Sequence, residues 1–250
     1  MLHCPKNIKV HFAAMENRTH AEILKALGVN YGLYSAFAPV FKKAFGKGWS
    51  EKDIETPKFL HDNMRHVIQD SGLFSLLYGS KQELATKQNI FRWYDALVEY
   101  TAEHAQDVAV VEVDCQDILG QEIAWDLRRR LRDDLPNHRI INVFHLSDGK
   151  KGLDRLIEFS DYIGVGSGSP DNSSATMYEV SSYIKSKNES IDIHLLGCTQ
   201  NYILKKCNFC TSADSTTWLR PLKYGDIQNY RVGLLGSNKI KRLVDEEAYD

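Results

Sequence analysis

Cysteine is sparse and unpaired in this chain. Five scattered through 250 residues, an odd number, make no disulfide framework, so a reducing compartment is expected. No run of apolar residues is long enough to span a bilayer. The start, Met1-Leu2-His3-Cys4-Pro5-Lys6, lacks the basic-then-apolar pattern of a secretory leader. These absences point to a cytoplasmic protein with no membrane partner. An excess of one charge is also missing. A net charge of -2 exerts no global pull toward nucleic acid, so any such contact has to come from local basic patches. There is no internal repeat, low-complexity segment or internal linker. The turn Gly164-Val165-Gly166-Ser167-Gly168 lacks the full dinucleotide fingerprint and does not lead directly into a helix, so no nucleotide cofactor is expected.

What is present is the material of one large α/β domain over 1–250, with 43% hydrophobic and 26% charged residues, enough to bury a core without staples. Apolar runs rich in β-branched residues alternate with helical patterns. Strands are predicted over 8–14, 29–35, 66–69, 108–113, 140–144, 162–165, 191–196 and 209–213. Helices are predicted over 19–27, 81–105, 120–135, 153–159, 175–187 and 199–206. The stretch 38–56 reads as a long polar and aromatic loop, and 219–250 as a basic C-terminal appendage, either a final helix or a partner-facing segment. About eight strand–helix alternations predict a parallel sheet closed into a single compact (β/α)8 TIM-like barrel, with a doubly wound open sheet as the alternative.

Barrel enzymes carry their chemistry at the C-terminal ends of the strands. Asp70, Asp114, His145, the turn at 166–169, Gly197 and Asp214 each follow a strand's apolar run. Asp214 lies in Cys210-Thr211-Ser212-Ala213-Asp214-Ser215-Thr216-Thr217-Trp218, and Asp70 opens onto the small-residue turn Ser71-Gly72. Two readings compete for Asp214, a catalytic carboxylate or the ordinary N-cap of a helix. Aspartates also favour turns. His145 reads as a substrate contact or a packed histidine, and Cys115 as a pocket-lining or buried thiol. Cys198, Cys207 and Cys210, with His194 nearby, have the spacing of a metal half-site. A barrel would place Cys198 at its top and Cys207 at its bottom, so no metal is expected, and zinc through these cysteines stays the open alternative. The run Arg128-Arg129-Arg130 reads as a solvated helix face.

Four segments carry a family resemblance. Asp70-Ser71-Gly72-Leu73-Phe74 resembles the Asp-Ser-Gly-Gly-Phe motif of tRNA-guanine transglycosylases, with Leu73 in place of the second glycine. Tyr162 to Gly168 is similar to their glycine-rich strand exit, His194-Leu195-Leu196-Gly197 to their His/Tyr-x-Leu/Met-Gly segment, and Asp214-Ser215 to the Asp-Ser carrying the nucleophile in archaeal members. The zinc site that follows the nucleophile in the tRNA enzymes is absent, as no cysteine follows Asp214. The small size and the Ser-x-Asp-Ser-x-x-Trp form at 212–218 resemble the compact phage-type 7-deazaguanine DNA transglycosylases.

The resemblance implies an enzyme that replaces guanine in DNA with a 7-deazaguanine base, related to queuosine and archaeosine chemistry, without a cofactor. Asp214 would be the nucleophile and Asp70 the general acid/base. Asp114 would accept from the guanine edge, and Ser71, Gly72, Phe74, Cys115, His145, Gly166, Ser167 and Gly197 would line the substrate site. A base in a duplex has to be flipped out or met on a single strand. Lys42, Lys43 and Lys47, near Phe45 and Trp49, are one candidate DNA contact, and Arg220 and Lys223 a second. Exchange on tRNA, a carboxylate glycosidase or nucleosidase, and an inactive nucleic-acid-binding barrel remain as alternatives. A homodimer is left open.

Overall fold

The computed structural model describes residues 8–46, 48–166, 173–198 and 200–219, with the short strands at 227–229 and 233–235. β1 (Lys9–Phe12) leads to α1 (Arg18–Ala26), whose cap Asn17 accepts the His20 backbone N–H at 3.3 Å. Then come β2 (Tyr31–Ser35), α2 (Phe37–Phe45), α3 (Glu51–Asn63), β3 (His66–Asp70), α4 (Leu73–Tyr78) and α5 (Lys87–His104). β4 (Ala109–Val111), α6 (Gln116–Leu119), α7 (Gln121–Asp134), β5 (Arg139–Phe144), α8 (Gly149–Phe159) and β6 (Tyr162–Val165) follow. α9 (Ser173–Lys187), β7 (Asp192–Leu195), α10 (Asn201–Lys206) and β8 (Ser212–Ser215) complete the repeat. All eight strands pair in parallel, and β8 returns to β1 with His11 beside Asp214, so the sheet is a closed (β/α)8 barrel as expected.

Successive strand residues alternate between the two faces of the sheet. One face fills the barrel, where Leu33, Ile68, Val111, Ile141, Val143 and Tyr162 form a buried cluster. The other face packs against the helices, in two larger clusters that hold Trp93, Tyr94 and Tyr100 on one side and Ile163, Ile193 and Leu204 on the other. Burial of this kind stabilises by roughly 25 cal/mol per Å² of apolar surface. Among the described residues no helix is long and apolar enough to cross a membrane.

The expected loop over 38–56 is instead two helices. In α2 the apolar residues Phe37, Val40, Phe41 and Ala44 recur at helical spacing and pack against the core. The glycines at 46 and 48 end it. Ser50 and Asp53 then form a capping box that starts α3, with the Ser50 N–H donating to Asp53 at 2.7 Å. Pro57 lies inside α3, where it cannot donate to the Asp53 carbonyl. The Tyr100 hydroxyl of α5 donates to that carbonyl at 2.8 Å, so the helix survives its proline.

Arg128 is not part of a solvated face. It is 4% exposed and its guanidinium donates to Glu112, which is 2% exposed, at 2.8–2.9 Å, and to the Val143 carbonyl at 2.8 Å. Glu112 also accepts from Asn142 Nδ2 at 2.6 Å and the Val143 N–H at 2.8 Å. This network ties α7 to β5 and the end of β4. Arg129 and Arg130 remain on the surface, paired with Asp126 and Asp95. Beyond the barrel, β9 (Ile227–Asn229) and β10 (Gly233–Leu235) form an antiparallel pair within the segment read as a helix or appendage.

Candidate active site

β3 ends at Asp70, whose Oδ1 accepts the Gly72 N–H at 2.7 Å in a tight turn. Gly72 adopts φ +74°, and a Cβ there would meet the Phe37 backbone at 2.6 Å. The turn therefore requires glycine. It opens α4, and the Ser71 carbonyl accepts from the buried Trp93 Nε1 at 3.0 Å. The Asp70 carboxyl is pushed up to about 6, chiefly by loss of solvent. The Gly72 N–H opposes that shift, while the negative charges of Asp214, Glu16 and Asp114 add to it. These four acids therefore share one mouth, drawn from β3, β8, the segment after β1 and the exit of β4.

Asp214 is not a helix cap. Its Oδ1 accepts from the Gly197 N–H at 2.8 Å and lies 3.1 Å from His194 Nε2. Ser215 takes the capping part, its Oγ accepting the Thr217 N–H at 3.0 Å where a short 3-10 turn begins. Trp218 then donates from Nε1 to the Ala13 carbonyl at 2.8 Å, which pins the chain after β8 over β1. Gly197 has φ +64°, a conformation that aims its N–H back at the carboxylate.

Asp114 Oδ1 and His145 Nε2 lie 2.7 Å apart, joining the exits of β4 and β5. That hydrogen bond is the main reason His145 is raised above its ordinary range, and burial works against it. Next to them Gln116 Nε2 donates to Asp148 Oδ1 at 2.6 Å. The mouth is thus lined by acceptor groups, suited to a substrate that presents N–H or O–H donors.

Below the mouth the barrel holds three histidines. His11 Nε2 and His66 Nδ1 are 2.8 Å apart, and the His11 and His194 rings lie 6.1 Å apart. Burial, then the neighbouring imidazoles, keeps His11 well below its ordinary range. Burial likewise brings His66 down to about 4. Both rings are neutral at physiological pH.

The remaining expected residues divide. Gly166 leaves open space where a Cβ would stand. Phe74 is 71% exposed on α4 and lies against Tyr78 in a tilted ring contact, centroids 4.6 Å apart. Cys115 belongs to the core beneath the mouth, and burial pushes its thiol up to about 12. Lys42 pairs with Asp53 at 2.7 Å, and Lys43 pairs with Glu99 and lies over Trp49. Phe45 and Trp49 pack against Trp93 and Tyr100. Ser167, Lys47, Arg220 and Lys223 lie outside the described residues. Cys198, Cys207 and Cys210 are all buried in one core cluster, and no group of three metal-ligating side chains occurs among the described residues.

Glu16 was not singled out from the sequence, and His194 was noted only beside the cysteine half-site and within the 194–197 segment. Glu16 lies in an irregular segment with no motif around it. His194 belonged to a recognised segment, yet its contact with Asp214 joins residues 20 apart on neighbouring strands.

No protein-family model and no curated protein sequence matches the chain. Solved structures of similar shape include a GH10 endoxylanase from a sugarcane soil metagenome, with TM-score 0.55 and 9% identity over 88% of this chain and 89% of that one. A psychrophilic GH10 endo-β-1,4-xylanase has TM-score 0.51 and 13% identity over 84% and 86%. An N-acetylneuraminate lyase of Proteus mirabilis has TM-score 0.51 and 13% identity over 85% and 72%. At these identities the likeness is one of fold, the (β/α)8 barrel.

Proposed function

We propose that the chain is an enzyme that breaks a glycosidic bond, with Asp214 as nucleophile and Asp70 as the group that moves the proton. The observation that carries this reading is the contrast between two carboxyls in one mouth. Asp70 is pushed up to about 6, within reach of general acid catalysis near neutrality. Asp214 is held through one oxygen by two N–H donors, the pattern that suits an ionised carboxylate. In the first step an Asp214 oxygen bonds to the anomeric carbon as the bond to the leaving group breaks, and Asp70 gives its proton to that group. Asp70, now a base, deprotonates the acceptor that displaces Asp214 in the second step. Two displacements retain configuration.

For the acceptor, the reading adopted is a second purine-like base, replacing guanine in DNA with a 7-deazaguanine derivative. Its support is the set of motifs at 70–74, 162–168, 194–197 and 214–215, whose described parts fall on the barrel strands and their exits. Asp114, held through Oδ1 by His145, has Oδ2 to offer to the N1–H and amino group of a guanine edge. A second reading, hydrolysis, takes its support from the barrel shared with the endoxylanases and from the acceptor-rich mouth, which also suits sugar hydroxyls.

The test is incubation with guanine-containing DNA and a labelled 7-deazaguanine, followed by denaturing electrophoresis. A denaturant-stable adduct, absent in Asp214→Asn, with DNA-dependent uptake of label supports exchange. Release of base or sugar without uptake replaces it with hydrolysis. Unchanged behaviour of both Asp214→Asn and Asp70→Asn would sink the catalytic reading and leave an inactive binding barrel.

A further inference from the structure

Resting on the reading of Asp214 as nucleophile, we propose that His194 is the positioning residue for this carboxylate. Its Nε2 proton faces Asp214 Oδ1 and a hydroxyl chain through Ser212 and Tyr162 backs its Nδ1, so that Oδ2 of Asp214 is the attacking oxygen.

The argument starts from an accounting of protons. His194 is fully buried, and both ring nitrogens have partners, Nε2 with Asp214 Oδ1 at 3.1 Å and Nδ1 with Ser212 Oγ at 2.6 Å. Ser212 Oγ in turn lies 2.5 Å from the Tyr162 hydroxyl. An ionised carboxylate has only lone pairs to offer, so the nitrogen facing it has to carry the proton. In the neutral ring Nδ1 is then an acceptor, and Ser212 donates to it. The Ser212 proton being committed, Tyr162 donates to Ser212 Oγ. Every proton in the chain runs one way, from Tyr162 through Ser212 to His194 and on to Asp214. The opposite tautomer would set the Nε2 lone pair against the Asp214 charge and leave two acceptors facing each other, which is costly.

The chain is built into the barrel wall. Tyr162, His194 and Ser212 stand on the adjacent strands β6, β7 and β8, each at most 1% exposed. His194 and Ser212 are register partners, so neither can shift without slipping the sheet. The neighbouring ring of His11 is kept neutral and supplies no competing charge.

The consequence lies in which oxygen is free. Oδ1 is held by the Gly197 N–H and His194 Nε2, and among the described residues Oδ2 has no partner. When Oδ2 forms the ester, Oδ1 becomes its carbonyl oxygen and keeps both donors. The geometry that orients the attack also stabilises the intermediate's carbonyl.

The experiment combines two readouts on the full chain. Imidazole 15N NMR reports the tautomer whatever the activity. Wild type is expected to show His194 protonated at Nε2, and Ser212→Ala the same tautomer with a shifted Nδ1 resonance, because Nδ1 has lost its donor. Adduct formation at saturating DNA is the second readout. Ser212→Ala is expected to slow it about 10–100-fold with the half-saturating DNA concentration unchanged. In His194→Gln the amide reaches the Nε2 position, and in His194→Asn only the Nδ1 position, so Gln recovers at least about tenfold of the rate that Asn loses. Thermal unfolding confirms that each variant is folded. A wild-type ring protonated at Nδ1, an unmoved Nδ1 resonance in Ser212→Ala, or equal rates for Gln and Asn overturns the proposal. If wild type forms no adduct while the tautomer pattern is as expected, the positioning chain stands and the nucleophile assignment falls.

Discussion

Asp70 Oδ1 and the Gly72 N–H, 2.7 Å apart, tie the carboxyl at the end of β3 to the turn that opens α4. The hydrogen bond fixes the carboxyl over the mouth, and the turn it belongs to allows only glycine at its third residue.

Gly72→Ala tests that link. The new methyl would lie 2.6 Å from the Phe37 backbone at a φ of +74°, so either α2 or the turn has to move. A loss of about 1–3 kcal/mol is expected from strain alone, read by chemical denaturation. Activity should fall further than stability accounts for, because the Asp70 anchor moves with the turn.

Asp70 makes stability depend on pH in a defined direction. Its folded value of about 6 lies above the 3.8 of the free side chain, so its stabilising contribution is full below about pH 3.8 and is lost as pH rises to about 6. Asp70→Asn removes this dependence. Above pH 6 the variant should be more stable than wild type by on the order of 3 kcal/mol, visible as a higher unfolding midpoint at pH 7.5 and none of that gain at pH 3.5. Loss of activity accompanied by such a gain marks a group placed for function.

The Asp114–His145 pair predicts a second titration. Asp114 raises His145, so whatever the pair adds to stability is complete below the ordinary histidine range and disappears as pH climbs through the raised value. NMR titration of Asp114→Asn should show His145 moving to lower pH. An unmoved value would mean that the 2.7 Å contact does not persist in solution.

Removing one member of the buried Glu112–Arg128 pair leaves the other buried without its counter-ion. Arg128→Met should destabilise by about 3–5 kcal/mol, and Arg129→Met, on the exposed side of the same helix, by less than about 1 kcal/mol. Urea denaturation of the two variants side by side checks the contrast.

The order of strands and helices was legible because it rests on local patterns: period-two and period-3.6 apolar spacing, and glycine or proline at element ends. Where glycines, lysines and a proline interrupted the pattern, at 38–56, the local signal failed. α2 and α3 owe their stability to Trp93 and Tyr100 on a distant helix. The barrel geometry also made Asp70, Asp114, His145 and Asp214 readable as strand-exit residues, since closure brings all such exits to one rim.

Which partner each carboxylate oxygen holds was settled only in three dimensions. Spacing along the chain could not separate Asp214 as a cap from Asp214 as a carboxylate held by His194 and Gly197. Nor could it show that Arg128 is buried while Arg129 is not. The sequence by itself determined the succession of elements and the chemical types placed at the rim. The tertiary structure alone decided their hydrogen-bond partners and their solvation, because these depend on contacts between strands and helices far apart in the chain.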